Sequence, residues 1–311
     1  MIEAVEHFEQ FGLPIYVYKT AEAMGAASAE ALAKKQIALA AEQDSVGMLV
    51  MAAPSAFSFY NAYVAMTEES TELQQALARA HFFQFDDYPL PADHPASFRY
   101  LLNKHFFSRL AKWCPAHNFH ALAAESNDAE KACREYTQQV LKFGLDMQIK
   151  GVGENGHWGF HEPGVPLDGD PAYITVDLSE ENVQQQMRDH PDLFAEESEV
   201  PTVAFTANVA LFMKTRTLIE DNIPQASKGF ALVVAYGNET VDACVPTSIL
   251  KRHGNAVVRT TSAAARELIE FRKHGIVSKE SFERMATAMG GDSTGAYIRA
   301  VFETMGIAVE S

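Results

Sequence analysis

Runs of β-branched and aromatic residues recur along this chain, each separated from the next by a longer stretch of helical character. That alternation constrains the fold more than any other feature. "PIYVYKT" (residues 14–20), "VGMLVMAA" (46–53), "ARAHFFQFDDY" (78–88) and "LDMQIKGVG" (145–153) read as strands. "TAEAMGAASAEALAKKQIALAAEQ", "SAFSFYNAYVAM", "ASFRYLLNKHFFSRLAKW" and "DAEKACREYTQQVLKFG" read as the helices between them. "AYITVDL", "PTVAFTA", "KGFALVVAYG" and "GNAVVRTT" are expected to be further strands. Strands alternating with helices predict an α/β fold: an open, mostly parallel sheet with helices on both faces. The C-terminal "SKESFERMATAMGGDSTGAYIRAVFETMG" reads as two helices broken at Gly290-Gly291. The expected organisation is a main α/β domain over 1–275 and a helical appendage over 276–311.

At 311 residues the chain is long enough to bury a large core without staples. Its net charge of -16 argues against a nucleic-acid surface, which needs clustered Lys and Arg. Cys114, Cys133 and Cys244 are odd in number and far apart, so no disulfide framework or zinc spacing is suggested. The acidic start "MIEAVEHFEQ" is no signal peptide, and no apolar run is long enough for a bilayer. The expectation is a cytoplasmic protein with no membrane or nucleic-acid partner.

In open α/β sheets, sites form outside the carboxyl ends of the strands. Three segments fall there: "AAPSAF" after the second strand, "DDY" after the third, and "GVGENGHWGFHEPG" (151–164) after the fourth. The last packs Glu154, Asn155, His157, His161 and Glu162 among glycines that permit tight turns and free backbone N–H groups. A carboxylate beside an imidazole holds its tautomer and raises its basicity, so His157 and Glu162 are candidates for acid–base work. Asp86 and Asp87 are close carboxylates, one of which would keep a proton at unusually high pH. Three other readings of the loop stay open. His157 and His161 have the i, i+4 spacing of a helical metal site, although the glycines and Pro163 oppose a helix. Gly151-x-Gly153-x-x-Gly156 fits a dinucleotide loop, although no helix follows. An incidental glycine turn is the third.

Four segments in order resemble the glucosamine-6-phosphate deaminase/isomerase family. "DDYPLPADHPASF" is similar to its Asp-Glu-Tyr followed by Leu-Pro-x-x-His-Pro-x-Ser. "GVGENGHWGFHEPG" is similar to its Gly-x-Gly-x-(Asp/Asn)-Gly-His-Ile-(Ala/Gly)-Phe-Asn-Glu-Pro. "VPTVAFT" and "VPTSILKRH" resemble its later Val-Pro-x-x-Ala-Leu-Thr and Pro-Ala-Ser-Ile-Leu-Gln-x-His. The resemblance runs from about Ile15 to Ala265 and implies a modified Rossmann-like sheet. It also implies an aldose–ketose isomerisation with loss of ammonia from an amino sugar phosphate, without a metal or organic cofactor. Position by position, it makes Asp86 the carboxylate that takes the C2 proton and His157 the ring-opening base. Glu162 and Asn155 become their supporting groups, and Ser55, Asp87, Gly156, Arg188 and Thr240 the substrate-binding set.

The phosphate segments depart from the family pattern. "AAPSAF" stands where the family has Thr-Gly-(Ser/Gly)-Thr-Pro; Pro54 has no N–H, and only Ser55 keeps a hydroxyl. Thr240, in "AYGNET", stands where the family's phosphate lysine is expected, while Arg188 falls where its phosphate arginine sits. "GVPLDGDPAYITVDL" has no Lys or Arg, so no allosteric phosphosugar site is expected. The partner implied is a small amino sugar or sugar phosphate, with a homo-oligomer left open. Two alternatives stand beside the deaminase: a non-catalytic sugar-sensing protein, and a 6-phosphogluconolactonase-like hydrolase, whose motif continues Gly-His with Thr-Ala-Ser-Leu-Phe-Pro where this chain has "WGFHEP".

Overall fold

Eleven strands form two sheets in the structure, a computed structural model that describes residues 2–291 and 294–310. In chain order they are β1 (Glu6–Gln10), β2 (Leu13–Tyr18), β3 (Val46–Val50), β4 (Ala80–Gln84), β5 (Asp86–Asp87), β6 (Phe119–His120), β7 (Met147–Lys150), β8 (Tyr173–Asp177), β9 (Val203–Ala207), β10 (Leu218–Ile223) and β11 (Ala256–Thr261). The main sheet has the order β1-β2-β11-β10-β7-β3-β4-β6 and is parallel except for the β1–β2 hairpin at one edge. The second, β5-β9-β8, is small and antiparallel.

The helices are α1 (Ala21–Glu42), α2 (Phe57–Glu69), α3 (Thr71–Leu77), α4 (Phe98–Leu102), α5 (Ser108–Leu110), α6 (Ala129–Phe143), α7 (Glu180–Asp189), α8 (Val209–Phe212), α9 (Gly229–Tyr236), α10 (Ser262–His274), α11 (Lys279–Met289) and α12 (Gly295–Met305). A π-helical turn, Asn103–Phe107, joins α4 to α5. Capping explains where several begin: Thr20, Asp128 and Thr261 each accept a backbone N–H from the first turn of α1, α6 and α10. Small residues on α1 permit close packing on α2; a Cβ at Gly25 would lie 2.5 Å from the Ser58 backbone.

Central strands of a parallel sheet are covered on both faces and read as continuous apolar runs, as β3 does, every residue of it buried. β10 reaches helices on both faces with polar groups instead. Glu220 and Asn222 meet Ser28 of α1, while Asp221 on the opposite face meets Tyr236 of α9.

The structure corrects the sequence reading at this point. "KGFALVVAYG", expected as a strand, is α9, with all eight residues of the helix buried. The strand of this unit lies just before it, in the polar "LIEDNI" of β10. A short apolar run does not distinguish a buried strand from a buried helix, and in β10 the run is broken by Glu220, Asp221 and Asn222. "AYITVDL" and "PTVAFTA" do contain strands, but these pair in the small antiparallel sheet. The C-terminal helices α11 and α12 pack beside α9 and α10. Phe282, Met285, Ile298, Phe302 and Met305 join the main core, and Phe302 lies 5.4 Å from Phe230.

Candidate active site

The carboxyl ends of β3, β4, β7 and β10 open into one cavity. Around it lie Ser55 after β3, Asp86 after β4, His157 after β7, and Gln225 and Lys228 after β10. β7 is flanked by β10 on one side and β3 on the other, so the cavity sits at a topological switch of the sheet.

The loop after β7 is a tight backbone turn. Gly153 N–H donates to His157 O at 3.0 Å, and Gly156, with φ +90°, donates to Gly153 O. Glycine at 153 is a requirement of fit, because a Cβ there would come within 2.1 Å of the His157 ring. The turn brings three polar side chains into a relay. His157 Nδ1 lies 2.8 Å from Asn155 Oδ1, and Asn155 Nδ2 donates to Glu162 Oε2 at 3.3 Å and to Ser179 Oγ at 3.1 Å. Asn182 Nδ2 donates to the other Glu162 oxygen.

The amide orientation follows from this network: Asn155 Oδ1 can only accept, so His157 Nδ1 carries the proton and Nε2 keeps the lone pair. Burial pushes the His157 pKa down to about 3, with Lys228 and Lys150 adding to the fall. The imidazole is therefore neutral at physiological pH. Burial raises the Glu162 carboxyl, opposed by hydrogen bonds from Asn182, Ser179 and Asn155.

Asp86 and Asp87 part company at β5. Asp86 lines the cavity and is buried, with its pKa well above the ordinary carboxylate value through burial and then the neighbouring Asp87. Asp87 turns away from the cavity. It accepts from Arg99 Nε at 2.7 Å, Phe98 N at 2.7 Å, Tyr88 N at 2.9 Å and Ser97 Oγ at 3.2 Å, an arrangement that shapes the following turn.

Of the other expected residues, Ser55 lines the cavity beside Gly151, where a Cβ would lie 2.8 Å from its Oγ. Asp87, Arg188, Gly156 and Thr240, expected as substrate contacts, are not among the residues that line this cavity. Arg188 pairs with Glu154 on the flank of the loop. Gly156 faces Val245, 2.8 Å from where its Cβ would stand. Thr240 bonds Asn238 through its N–H and Lys251 through its carbonyl. Glu162 and Asn155 stand behind His157 rather than in the wall.

The cation at the cavity is Lys228, in the turn between β10 and α9, and the sequence reading did not find it. With β10 unrecognised, nothing marked "PQASKG" as a strand-to-helix turn. Thr240, where the family's phosphate lysine is expected, lies one element later, beyond α9. Gln185, Gln186 and His190 of "NVQQQMRDH" were also missed as wall residues. Gln185 Oε1 accepts from Glu154 N at 2.7 Å, so it also holds the loop.

The metal and dinucleotide readings of the loop find no geometry here. Residues 151–164 contain no helix. His161 turns from His157, with Nε2 3.2 Å from Val165 O and Nδ1 accepting from Val209 N at 3.3 Å.

Comparison with known proteins gives a consistent set of relatives. A family profile described as glucosamine-6-phosphate isomerases/6-phosphogluconolactonase matches residues 19–164. A glucosamine-6-phosphate deaminase of Geobacillus sp. (strain WCH70) is 30% identical over 198 residues, 63% of this chain and 75% of that protein. One from Enterococcus faecalis is 28% identical over 243 residues, 78% of this chain and 97% of that protein. Among solved structures, a monomeric glucosamine-6-phosphate deaminase superposes with a TM-score of 0.71 at 23% identity, covering 81% of this chain and 98% of its own. A 6-phosphogluconolactonase from Thermotoga maritima does so at 0.59 and 18%, covering 79% and 98%. Both likenesses show the same fold.

Proposed function

The chain belongs to the glucosamine-6-phosphate isomerase/6-phosphogluconolactonase family, and from that premise we propose that it is a deaminase of an amino sugar phosphate. The observation that carries the reading is the meeting of a neutral, tautomer-fixed His157 and a buried Asp86 in one cavity that also holds Lys228. That combination suits proton transfer at carbon in a bound anionic sugar.

His157 Nε2 takes the proton of the anomeric hydroxyl and returns it at the ring oxygen, opening the sugar to a 2-amino aldehyde. Asp86 removes the C2 proton, made acidic by the adjacent carbonyl. Protonation at C1 then gives the 2-imine of the ketose. Water adds at C2 and ammonia leaves, so each turnover consumes one water and releases one ammonia. Asn155 and Glu162 keep the imidazole in the tautomer that the first step needs. Ser55 and Lys228 hold the phosphate. Substrate contacts assigned from the sequence to Asp87, Arg188, Gly156 and Thr240 are replaced in this reading by Lys228 and the Gln185–Gln186 wall.

Residues 1–275 carry these groups in our reading, and 276–311 act as an appendage that braces them. Among the described residues no helix is long and apolar enough to cross a membrane. We infer a cytoplasmic enzyme, supported by three unpaired cysteines.

Incubation of the purified protein with glucosamine 6-phosphate, glucosamine and 6-phosphogluconolactone tests the proposal. Equal amounts of ammonia and ketose phosphate from the first are expected. Lactone hydrolysis with no ammonia from either amino sugar would overturn it.

A further inference from the structure

Lys150, the last residue of β7, is completely buried, and so is its partner Asp221 on the neighbouring strand β10. Lys150 Nζ is 2.8 Å from Asp221 Oδ2, and the Tyr236 hydroxyl donates to the same carboxylate oxygen. The mechanism above gives this pair no task. A buried ion pair is a weak source of stability, because desolvating two charges offsets their attraction. Its persistence in the middle of the sheet calls for another reason.

The second partner of the ammonium supplies one. Lys150 Nζ lies 4.6 Å from the centre of the Trp158 ring, and the indole stacks on Phe212 at 5.0 Å. Trp158 Nε1 also donates to Gln148 Oε1 at 3.0 Å, two residues back on the same strand. Residues 150 and 158 flank the seven residues that hold Glu154, Asn155 and His157. The neck of the catalytic loop is therefore closed by two contacts from β7 to one indole, one of them cationic.

We propose that Lys150 is a positioning residue: held by Asp221 and Tyr236, its ammonium clamps Trp158 and so closes the neck of the loop that presents His157. The value of this assignment for catalysis rests on the deaminase reading; the clamp itself does not. Lys150 and Lys228, the latter from the turn before α9, both act electrostatically on His157, while Asp86 and His190 border the same cavity from β5 and the C-terminal cap of α7. Burial keeps the imidazole neutral, and the two lysines add to that effect.

The test is the double variant Lys150→Met/Asp221→Asn, which removes both charges and leaves no buried ion unpaired. Two readouts are taken on the full chain: amide hydrogen exchange across residues 151–158, and kcat and KM with glucosamine 6-phosphate. The expected result is exchange at least tenfold faster at the amides of 153–157, with β3, β7 and β11 as protected as in the wild type. kcat should fall tenfold or more and KM by less than threefold. Trp158→Leu should give the same loss, and adding it to the double variant should cost nothing further. Unchanged exchange at 153–157 would overturn the proposal, as would a rise spread evenly over the sheet, which would mark a purely structural pair. If the wild type releases no ammonia, the deaminase reading fails by itself and the exchange data alone decide on the clamp.

Discussion

Asp86 and Asp87 are adjacent in the chain yet occupy opposite electrostatic surroundings: Asp87 is ringed by backbone N–H groups and Arg99, and Asp86 faces the cavity with its charge unfavourably buried. One carboxylate holds the turn, and the other stands at the cavity with its charge uncompensated. A buried carboxyl denied the partners that its neighbour receives holds its proton more tightly.

Asp86→Asn should therefore abolish turnover and stabilise the fold. The folded-state pKa of Asp86 is raised above its unfolded value, so its contribution to stability is present at low pH and is lost as pH rises through the folded pKa. The variant should melt higher than the wild type at pH 7 and no higher near pH 3.5. Thermal melts across this range check it, and an equal or lower melting temperature at neutral pH would contradict it.

His157→Gln should lower kcat by roughly 10²–10⁴-fold, the usual worth of a positioned acid–base group. Asn155→Ala and Glu162→Gln should each lower kcat less, with KM nearly unchanged, because they act through the imidazole. Steady-state kinetics that put the larger change of either variant in KM would move these residues from the relay to the binding surface.

Lys228→Met should raise KM for the phosphorylated sugar by roughly tenfold to a hundredfold, as expected for about 1.5–3 kcal/mol lost with a charged hydrogen bond. Unphosphorylated glucosamine should be affected far less. Thr240→Ala should leave both sugars unaffected, since Thr240 lies outside the cavity wall. Parallel kinetics on the two sugars decide it.

Acid should destabilise the protein through its buried histidines. Burial pushes His157 down to about 3 and His161 down to about 4. Both folded-state values lie below the unfolded value near 6.5, so this stability is present above pH 6.5 and is lost as pH falls toward 4 and then 3. His161→Gln should flatten the dependence of melting temperature on pH between 6.5 and 4; an unchanged slope would show that His161 does not contribute.

Truncation after residue 275 should abolish soluble expression. Phe282, Met285, Ile298, Phe302 and Met305 are buried against the main core. At roughly 1.5–3 kcal/mol for each large side chain, their loss rivals the whole stability of a domain. A finer effect is expected of Tyr297→Phe, which removes only the hydroxyl that donates to Asn155 O at 3.4 Å. It should fold normally and lose a few-fold in kcat.

The sequence made the loop from Gly151 to Gly164 legible because glycines and proton carriers crowd together there, and it made the parallel sheet legible because β2, β3 and β4 are apolar enough to announce themselves. It concealed β10. Glu220, Asp221 and Asn222 read as surface, yet each has a buried partner on α1, β11, β7 or α9 that no local pattern reveals. That concealment turned α9 into an apparent strand and hid the turn that carries Lys228 to the cavity. The direction of Asp87 was equally hidden, since its partner Arg99 lies 12 residues on, across a turn.

The most direct measurement is ammonia release from glucosamine 6-phosphate by the wild type beside Asp86→Asn, both confirmed folded by thermal melt. The account predicts saturable release by the wild type and a loss of at least a thousandfold in the variant, with the variant the more stable of the two at pH 7. Release that survives in Asp86→Asn would contradict the assignment of the C2 proton to this carboxylate and, with it, the chemistry proposed for the cavity.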